Sequence, residues 1–318
     1  MAEKDILVVI GATGKQGGSV VNSILGDKKA ASRFSIRAVT RNLSKPAAQA
    51  LTKRGIKCVK ADLNDKASLV AAFNGAYAVF GVTDFWETRN REMEIQQGHN
   101  LADAAKETNI KHLVWSSMPD ATKLSGGKYL NVVTFDTKAN VERYIRQLGL
   151  PASFFLAGFY MSNIPNQMLN NATGVYNFSL AMPTNTPIPM FDAARDTGKF
   201  VKAMLLKEEK VRGKQIIGAT YYHTPQQIIA DFQAAKPRDG KGGRAVQLTA
   251  KEYEDVLASK GAAVHAAARK ELAETMQLIS EFGYYGGTSL AESHSILDEP
   301  LTTWKQFVEK EPSWAHVK

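Results

Sequence analysis

The chain opens on an unbroken apolar run, Ile6 to Ile10, that gives way to Gly11, Gly14 and Gly17 and then to a helical segment beginning near Lys15. A continuous run of this length suits a strand covered on both faces, as in a parallel sheet. The alternation then repeats. Strand-like runs at 34–40, 56–60, 76–82, 112–116 and 152–156 are separated by helical patterns at 44–54, 66–73, 89–106 and 136–148. Met93, Leu101, Ala104 and Ala105 mark the inward face of the 89–106 helix, and Val141, Tyr144, Ile145 and Leu148 that of the 136–148 helix. Strands and helices alternating at this length predict an α/β architecture, a doubly wound parallel sheet with helices on both sides. Beyond residue 158 the rhythm is lost, and Pro165, Pro183, Pro187 and Pro189 divide the chain into short pieces. Residues 1–157 are therefore expected to form the sheet domain and 158–318 a smaller C-terminal α/β lobe, with the later chain free to return a strand to the sheet. Two helices stand out in that lobe: 262–282, with Val264, Leu272, Met276 and Ile279 at helical spacing, and 301–310, with Trp304, Phe307 and Val308 facing inward.

Chemistry first enters at the glycines. Glycine lets a backbone turn sharply and approach a ligand closely, and a helix starting directly after such a turn aims its free N–H groups and positive dipole end at an anion above it. Following a buried strand and opening a helix, Gly11, Ala12, Thr13, Gly14, Lys15, Gln16 and Gly17 read as the pyrophosphate turn of a dinucleotide site. The end of the second strand decides which dinucleotide. An acidic residue there accepts hydrogen bonds from the adenosine ribose in NAD-preferring sites. This chain has Thr40 and Arg41 instead. A carboxylate would repel a 2'-phosphate, whereas Arg41 can pair with it through a charge-assisted, bidentate bond. NADP(H) is favoured, with NAD(H) as the second choice. Lys45 is either a further phosphate contact or a solvated helix-start lysine. After the third strand, Asp62 and Leu63 are placed to meet the adenine edge and face, or, for Asp62, to cap a helix.

Composition narrows the remaining classes. Among 318 residues, 40 Lys and Arg face 31 Asp and Glu, a net charge of +9. Such a balance raises nucleic-acid binding. The basic residues are, however, spread along the chain and interleaved with acids, apart from KPRDGKGGR at 236–244, which reads as a mobile loop. No direct nucleic-acid contact is expected, because a basic surface equally draws an anionic cofactor or an acidic protein partner. Cys58 is the single cysteine, which excludes an intramolecular disulfide and a thiolate cluster, and the six histidines are scattered without ligand spacing, so no metal site is expected. The polar start MAEKD fits no signal peptide, and no apolar run approaches the ~20 residues that span a bilayer. The expected setting is cytoplasmic and off the membrane, with the nucleus open as a second compartment.

Four segments carry a resemblance. GATGKQGG at 11–18, AVTRN at 38–42, NGAYAVFGVTDFWE at 74–87 and TFDTKANVERYIR at 134–146 resemble the NmrA-like proteins, atypical members of the short-chain dehydrogenase superfamily, and the likeness continues through FYMSN at 159–163. The resemblance implies a Rossmann-like domain with a smaller C-terminal lobe. It also implies NADP-sensitive regulation in place of robust turnover, with a GATA-type zinc-finger transcription factor as the partner in fungal relatives. Carried onto matching positions, it puts the phosphates over Gly11 to Gly17, the 2'-phosphate near Arg41 and Lys45, and adenine beside Asp62 and Leu63. Thr83, Asp84 and Phe85 would line the middle of the dinucleotide and Lys138 would reach the nicotinamide ribose. Tyr160, Met161, Ser162 and Asn163 would close over the nicotinamide. Two positions depart from the pattern: Gln96 stands where some relatives have lysine, and Gly158 where many have proline.

Whether such a site would catalyse turns on one spacing. A typical short-chain dehydrogenase moves a proton with a tyrosine whose pKa is lowered by a lysine four residues later on the same helical face. Lys138 is present, but Thr134 occupies the position four before it, and none of the ten tyrosines has lysine at the fourth position after it. A threonine hydroxyl is too weak an acid to replace the phenol. Ser116 or Ser117 remains a candidate to polarise a substrate oxygen, and Lys138 is either a cofactor contact or an atypical acid. Two functions follow: a dinucleotide-responsive regulator that binds a protein partner, or an NADPH-dependent reductase of a small apolar or aromatic substrate held by Phe85, Trp86, Phe159 and Tyr160.

Overall fold

The computed structural model describes residues 3–170, 174–259 and 265–314. Seven strands make the central sheet: β1 (Asp5–Val9), β2 (Phe34–Thr40), β3 (Lys57–Lys60), β4 (Ala78–Gly81), β5 (His112–Ser117), β6 (Ala152–Ala157) and β7 (Gln215–Gly218). All pair in parallel, in the spatial order β7-β6-β5-β4-β1-β2-β3. Helices α1 (Lys15–Gly26), α2 (Pro46–Lys53), α3 (Lys66–Phe73), α4 (Phe85–Thr88), α5 (Arg91–Glu107), α6 (Val133–Gln147) and α7 (Ala193–Leu206) connect or cover the strands. The apolar run at 6–10 does what its pattern predicts. Leu7 and Val9 enter the core under α1 and α7 with Val20, Ile24, Phe200 and Met204, while Val8 and Ile10 enter the core under α3, α5 and α6 with Leu69, Leu101 and Val141. Each such side chain, fully withdrawn from water, contributes about 1.5–3 kcal/mol. Because β1 lies between β2 and β4, the winding reverses there and a crevice opens above its C-terminal end, where open α/β sheets bind ligands.

Residues after 158 return a strand to the sheet, as the pattern left open, together with a helix that the pattern did not single out: α7 and β7 complete the sheet domain, with α7 packed along α1. The approach is close: Gly198 N donates to Ser19 Oγ at 2.9 Å, and a Cβ on Gly198 would lie 2.1 Å from the Ser19 carbonyl oxygen. The helix escaped the pattern because its buried side includes Asp196, Thr197, Gly198 and Lys202 beside Phe200 and Val201. Those polar groups are matched in the fold, Asp196 by Lys199 and by the backbone N–H of Thr302, Lys202 by Asp27 and Glu299. The helix expected at 89–106 runs Arg91–Glu107 without a break; the single turn α4 precedes it, Arg89 with φ 52° separates the two, and Asp84 caps α4 and Asn90 caps α5.

The rest of the later chain forms a small lobe above the C-terminal ends of the strands. Ile188–Phe191 pairs in parallel with Phe159–Tyr160 and antiparallel with Tyr221–His223, while Tyr176–Leu180 lies between Met168–Asn170 and Ala245–Gln247. Of the predicted helix 262–282, the part Ala266–Phe282 is helical, and Ala262 and Val264 lie outside the described residues. Helix Trp304–Lys310 starts in a capping box between Thr303 and Gln306, and Trp304 stacks on Phe307 with ring centroids 5.6 Å apart. Residues 236–244 form successive turns closed by the Gly240 and Gly243 N–H groups. Among the described residues no helix is long and apolar enough to cross a membrane.

Candidate dinucleotide site

The glycine turn sits at the switch point of the sheet. Gly11 takes φ 65°, Gly14 N donates back to Gly11 O at 2.8 Å, and no side chain caps α1 at Gly14. A Cβ on Gly17 would lie 2.2 Å from Gly11 O, so only glycine lets the helix start this close to the turn. Free N–H groups at the mouth of a twelve-residue helix, with no side-chain cap among the described residues, fit a pyrophosphate.

The side chains of the turn reach across to the small lobe. Lys15 Nζ donates to Ser162 Oγ at 2.9 Å, and Gln16 Nε2 donates to the Tyr160 hydroxyl at 2.6 Å. Ser116 Oγ in turn donates to Gln16 Oε1 at 2.8 Å, which joins the end of β5, the turn and the lobe in one chain of bonds. Burial pushes the Tyr160 hydroxyl up to about 12, with the Gln16 bond opposing and the Asp84 charge reinforcing the shift. It accepts from Gln16, and its own hydrogen finds no acceptor among the described residues. Ser117, the alternative to Ser116, is turned away and donates to Glu142 at 2.6 Å. Met161 is buried and Asn163 exposed at the rim. The departure at Gly158 has a local cause: its N–H donates to Gly218 O, which proline cannot do, and a Cβ would lie 2.8 Å from Pro189 O.

Lys138 stands on α6 facing this edge, and its geometry is unusual for a cofactor lysine. Its Nζ donates to Glu94 Oε1 at 2.7 Å and to Thr83 Oγ1 and Thr83 O at 2.9 Å each. An ammonium has three hydrogens and all three are committed. Glu94 also accepts from the hydroxyls of Thr83 (2.8 Å) and Thr137, so the carboxylate is fully enclosed by donors. Sequence reasoning missed Glu94 and put Met93 on the inner face of this helix. Met93 is in fact 40% exposed and Glu94 0% exposed. The signal was present, since Glu94, Gln97, Gly98, Leu101, Ala104 and Ala105 share one helical face. Thr134, where a catalytic tyrosine would stand, gives its N–H to the buried Glu271 at 2.7 Å.

At the adenosine end, Arg41 follows β2 and pairs with Glu87 on α4 at 2.5 Å, both half exposed. Lys45 is exposed at the start of α2. Asp62 does not cap α3, a task that falls to Asp65; it closes a local turn on Asn64 instead. The neighbouring Leu63 carbonyl accepts from Asn100, and Asn64 accepts from Gln97, which ties this loop to α5. Thr83 and Phe85 are buried beneath the crevice and Asp84 is exposed at its edge. The fold thus brings Gly11 to Gly17, Ser116, Tyr160 and Ser162 into bonded contact, with Lys138 drawn onto Glu94 beside them.

A sequence profile of the NmrA-like family matches residues 3–308. Among curated proteins, the chain is 29% identical over 276 residues to the NmrA-like family domain-containing oxidoreductase FrzB of a Cladobotryum species, covering 80% of this chain and 77% of that one. Among solved structures, it superposes on NmrA, a negative transcriptional regulator in complex with NADP, with a TM-score of 0.78 at 24% identity, over 98% of this chain and 96% of that one. It superposes on the NADPH-dependent quinone oxidoreductase QOR2 of Escherichia coli, complexed with NADPH, with a TM-score of 0.75 at 23% identity, over 95% and 98% of the two chains.

Proposed function

The chain belongs to the NmrA-like family, and from that premise we propose that it binds NADP(H), accepts NAD(H) as well, and acts as a dinucleotide-responsive regulator of a protein partner without efficient turnover. The observation that carries this reading is the commitment of all three Lys138 hydrogens to Glu94 and Thr83, in a helix where Thr134 replaces the proton-transferring tyrosine. Phosphates would rest on the free N–H groups of Lys15 to Gly17, and Arg41 would meet a 2'-phosphate. A bound nicotinamide supplies hydride chemistry in principle, but no side chain of the Lys138 group has a hydrogen free to complete it. Lys15 and Gln16 instead connect the phosphate turn to Ser162 and Tyr160 of the small lobe. A ligand that draws on those two side chains has different affinity for the bonded and unbonded lobe positions, which is the condition for shifting a population that a partner reads. The chemistry expected of that partner follows the family: a GATA-type transcription factor, met in the cytoplasm or nucleus.

A second reading, an NADPH-dependent reductase, is favoured by the uncommitted Tyr160 hydrogen, by Ser116 beside it, and by the oxidoreductase name of the FrzB relative. Titration with NADPH and NADP+ by calorimetry, followed by absorbance of the reduced nicotinamide over a panel of ketones, quinones and enones, separates the two. Binding without turnover is expected. Substrate-dependent oxidation that disappears in Tyr160→Phe or Lys138→Ala while NADPH still binds would overturn the regulator.

A further inference from the structure

The Arg41–Glu87 pair occupies a telling place in the topology. Arg41 follows β2 and Glu87 lies on α4, just after β4. Since β1 lies between those two strands, the pair spans the crevice above the glycine turn from one wall to the other. From this we propose, resting on the NADP(H) reading above, that Glu87 is a specificity-determining residue: it competes with a 2'-phosphate for Arg41 and thereby makes the position of α4 depend on which dinucleotide is bound.

The competition has a definite direction. An exposed ion pair is weakly held and can be exchanged. Arg41 is 55% and Glu87 45% exposed at the side chain, so neither is locked by packing. A phosphate offers the guanidinium a doubly charged, bidentate partner, stronger than one carboxylate oxygen. Once Arg41 turns to the phosphate, Glu87 is left beside a like charge and is driven away. A 2'-hydroxyl has neither effect, and Arg41 stays on Glu87. Helix α4 is a single turn held at its start by the buried Phe85 and ended by Arg89 in the left-handed region, and Glu87 stands on its exposed side, so the displacement falls on the outer half of the turn. It also carries Trp86, 44% exposed and packed edge-on against Phe85, whereas Trp115, Trp304 and Trp314 are buried.

Adenosine 2',5'-bisphosphate and 5'-AMP isolate the phosphate from the rest of the cofactor. Calorimetry on the full chain should give tighter binding of the bisphosphate, and Glu87→Gln should widen that preference about 3- to 10-fold by strengthening the bisphosphate alone. Arg41→Ala should collapse the preference. Tryptophan emission should change with the bisphosphate and not with 5'-AMP, and Trp86→Phe should abolish the change. An unaltered ratio in Glu87→Gln, or equal gains for both nucleotides, would overturn the role of Glu87 while leaving NADPH binding and the proposed function standing. Absence of binding by NADPH and both probes would overturn the two together.

Discussion

Replacing Glu94 by glutamine tests whether the lysine beside the crevice depends on its buried carboxylate. At 2.7 Å, and with an effective dielectric constant of about 20, the Lys138–Glu94 attraction is on the order of 6 kcal/mol before desolvation is counted. Most of that offsets the cost of taking both groups out of water, so the pair itself adds little, but removing one partner leaves the other's desolvation uncompensated, at about 3–5 kcal/mol. Lys138 retains 13% side-chain exposure and can relax toward solvent, which places the expected loss near the lower bound, about 3 kcal/mol. For a chain of 318 residues this corresponds to a fall in Tm of about 5 °C. Thermal and urea denaturation of Glu94→Gln, Lys138→Met and the double variant would measure it. The double variant should recover about 2 kcal/mol relative to the sum of the single losses, because no charge is then left buried alone. A loss below about 1 kcal/mol in Glu94→Gln, or simple additivity in the double variant, would refute the reasoning.

Three further outcomes follow from the same geometry. Gly17→Ala drives a Cβ against Gly11 O and should abolish NADPH binding in calorimetry, whereas Gly18→Ala, with its nearest neighbour at 3.5 Å, should retain it. Gly198→Ala should separate α1 from α7 and cost about 1–3 kcal/mol in denaturant titrations, while Gly26→Ala, whose Cβ meets nothing within 4 Å, should be neutral. Burial pulls His112 from its ordinary 6.5 down to about 4, against the opposing pull of Glu208. The unfolded chain therefore takes up a proton below pH 6.5 that the native state refuses until about pH 4, so the contribution of His112 to stability falls as the pH drops through that window and is constant above it. The loss is about 3 kcal/mol, and His112→Asn should remove that limb from a plot of denaturation midpoint against pH.

The first six strands, the glycine turn and the fold class were legible because each rests on local chemistry: apolar runs that must be covered on both faces, and glycines that alone permit the turn. The absence of a tyrosine four residues before Lys138 was legible for the same reason, since helical spacing fixes which side chains share a face. What Lys138 does there was not. Its partner Glu94 is 44 positions away in sequence, and a glutamate on an apolar helical face carries no local mark of the cation that will meet it. Helix α7 was hidden because its buried polar groups find their partners in Asp27, Glu299 and Thr302, far along the chain. Arg41 was readable as a candidate for a 2'-phosphate, but only the order β4-β1-β2 puts Glu87 across the crevice from it. Sequence thus determined which backbone could bind a dinucleotide, through short-range sterics and periodicity. Tertiary structure decided which charges face one another over that backbone, because electrostatic partners are set by proximity in space and not by spacing along the chain.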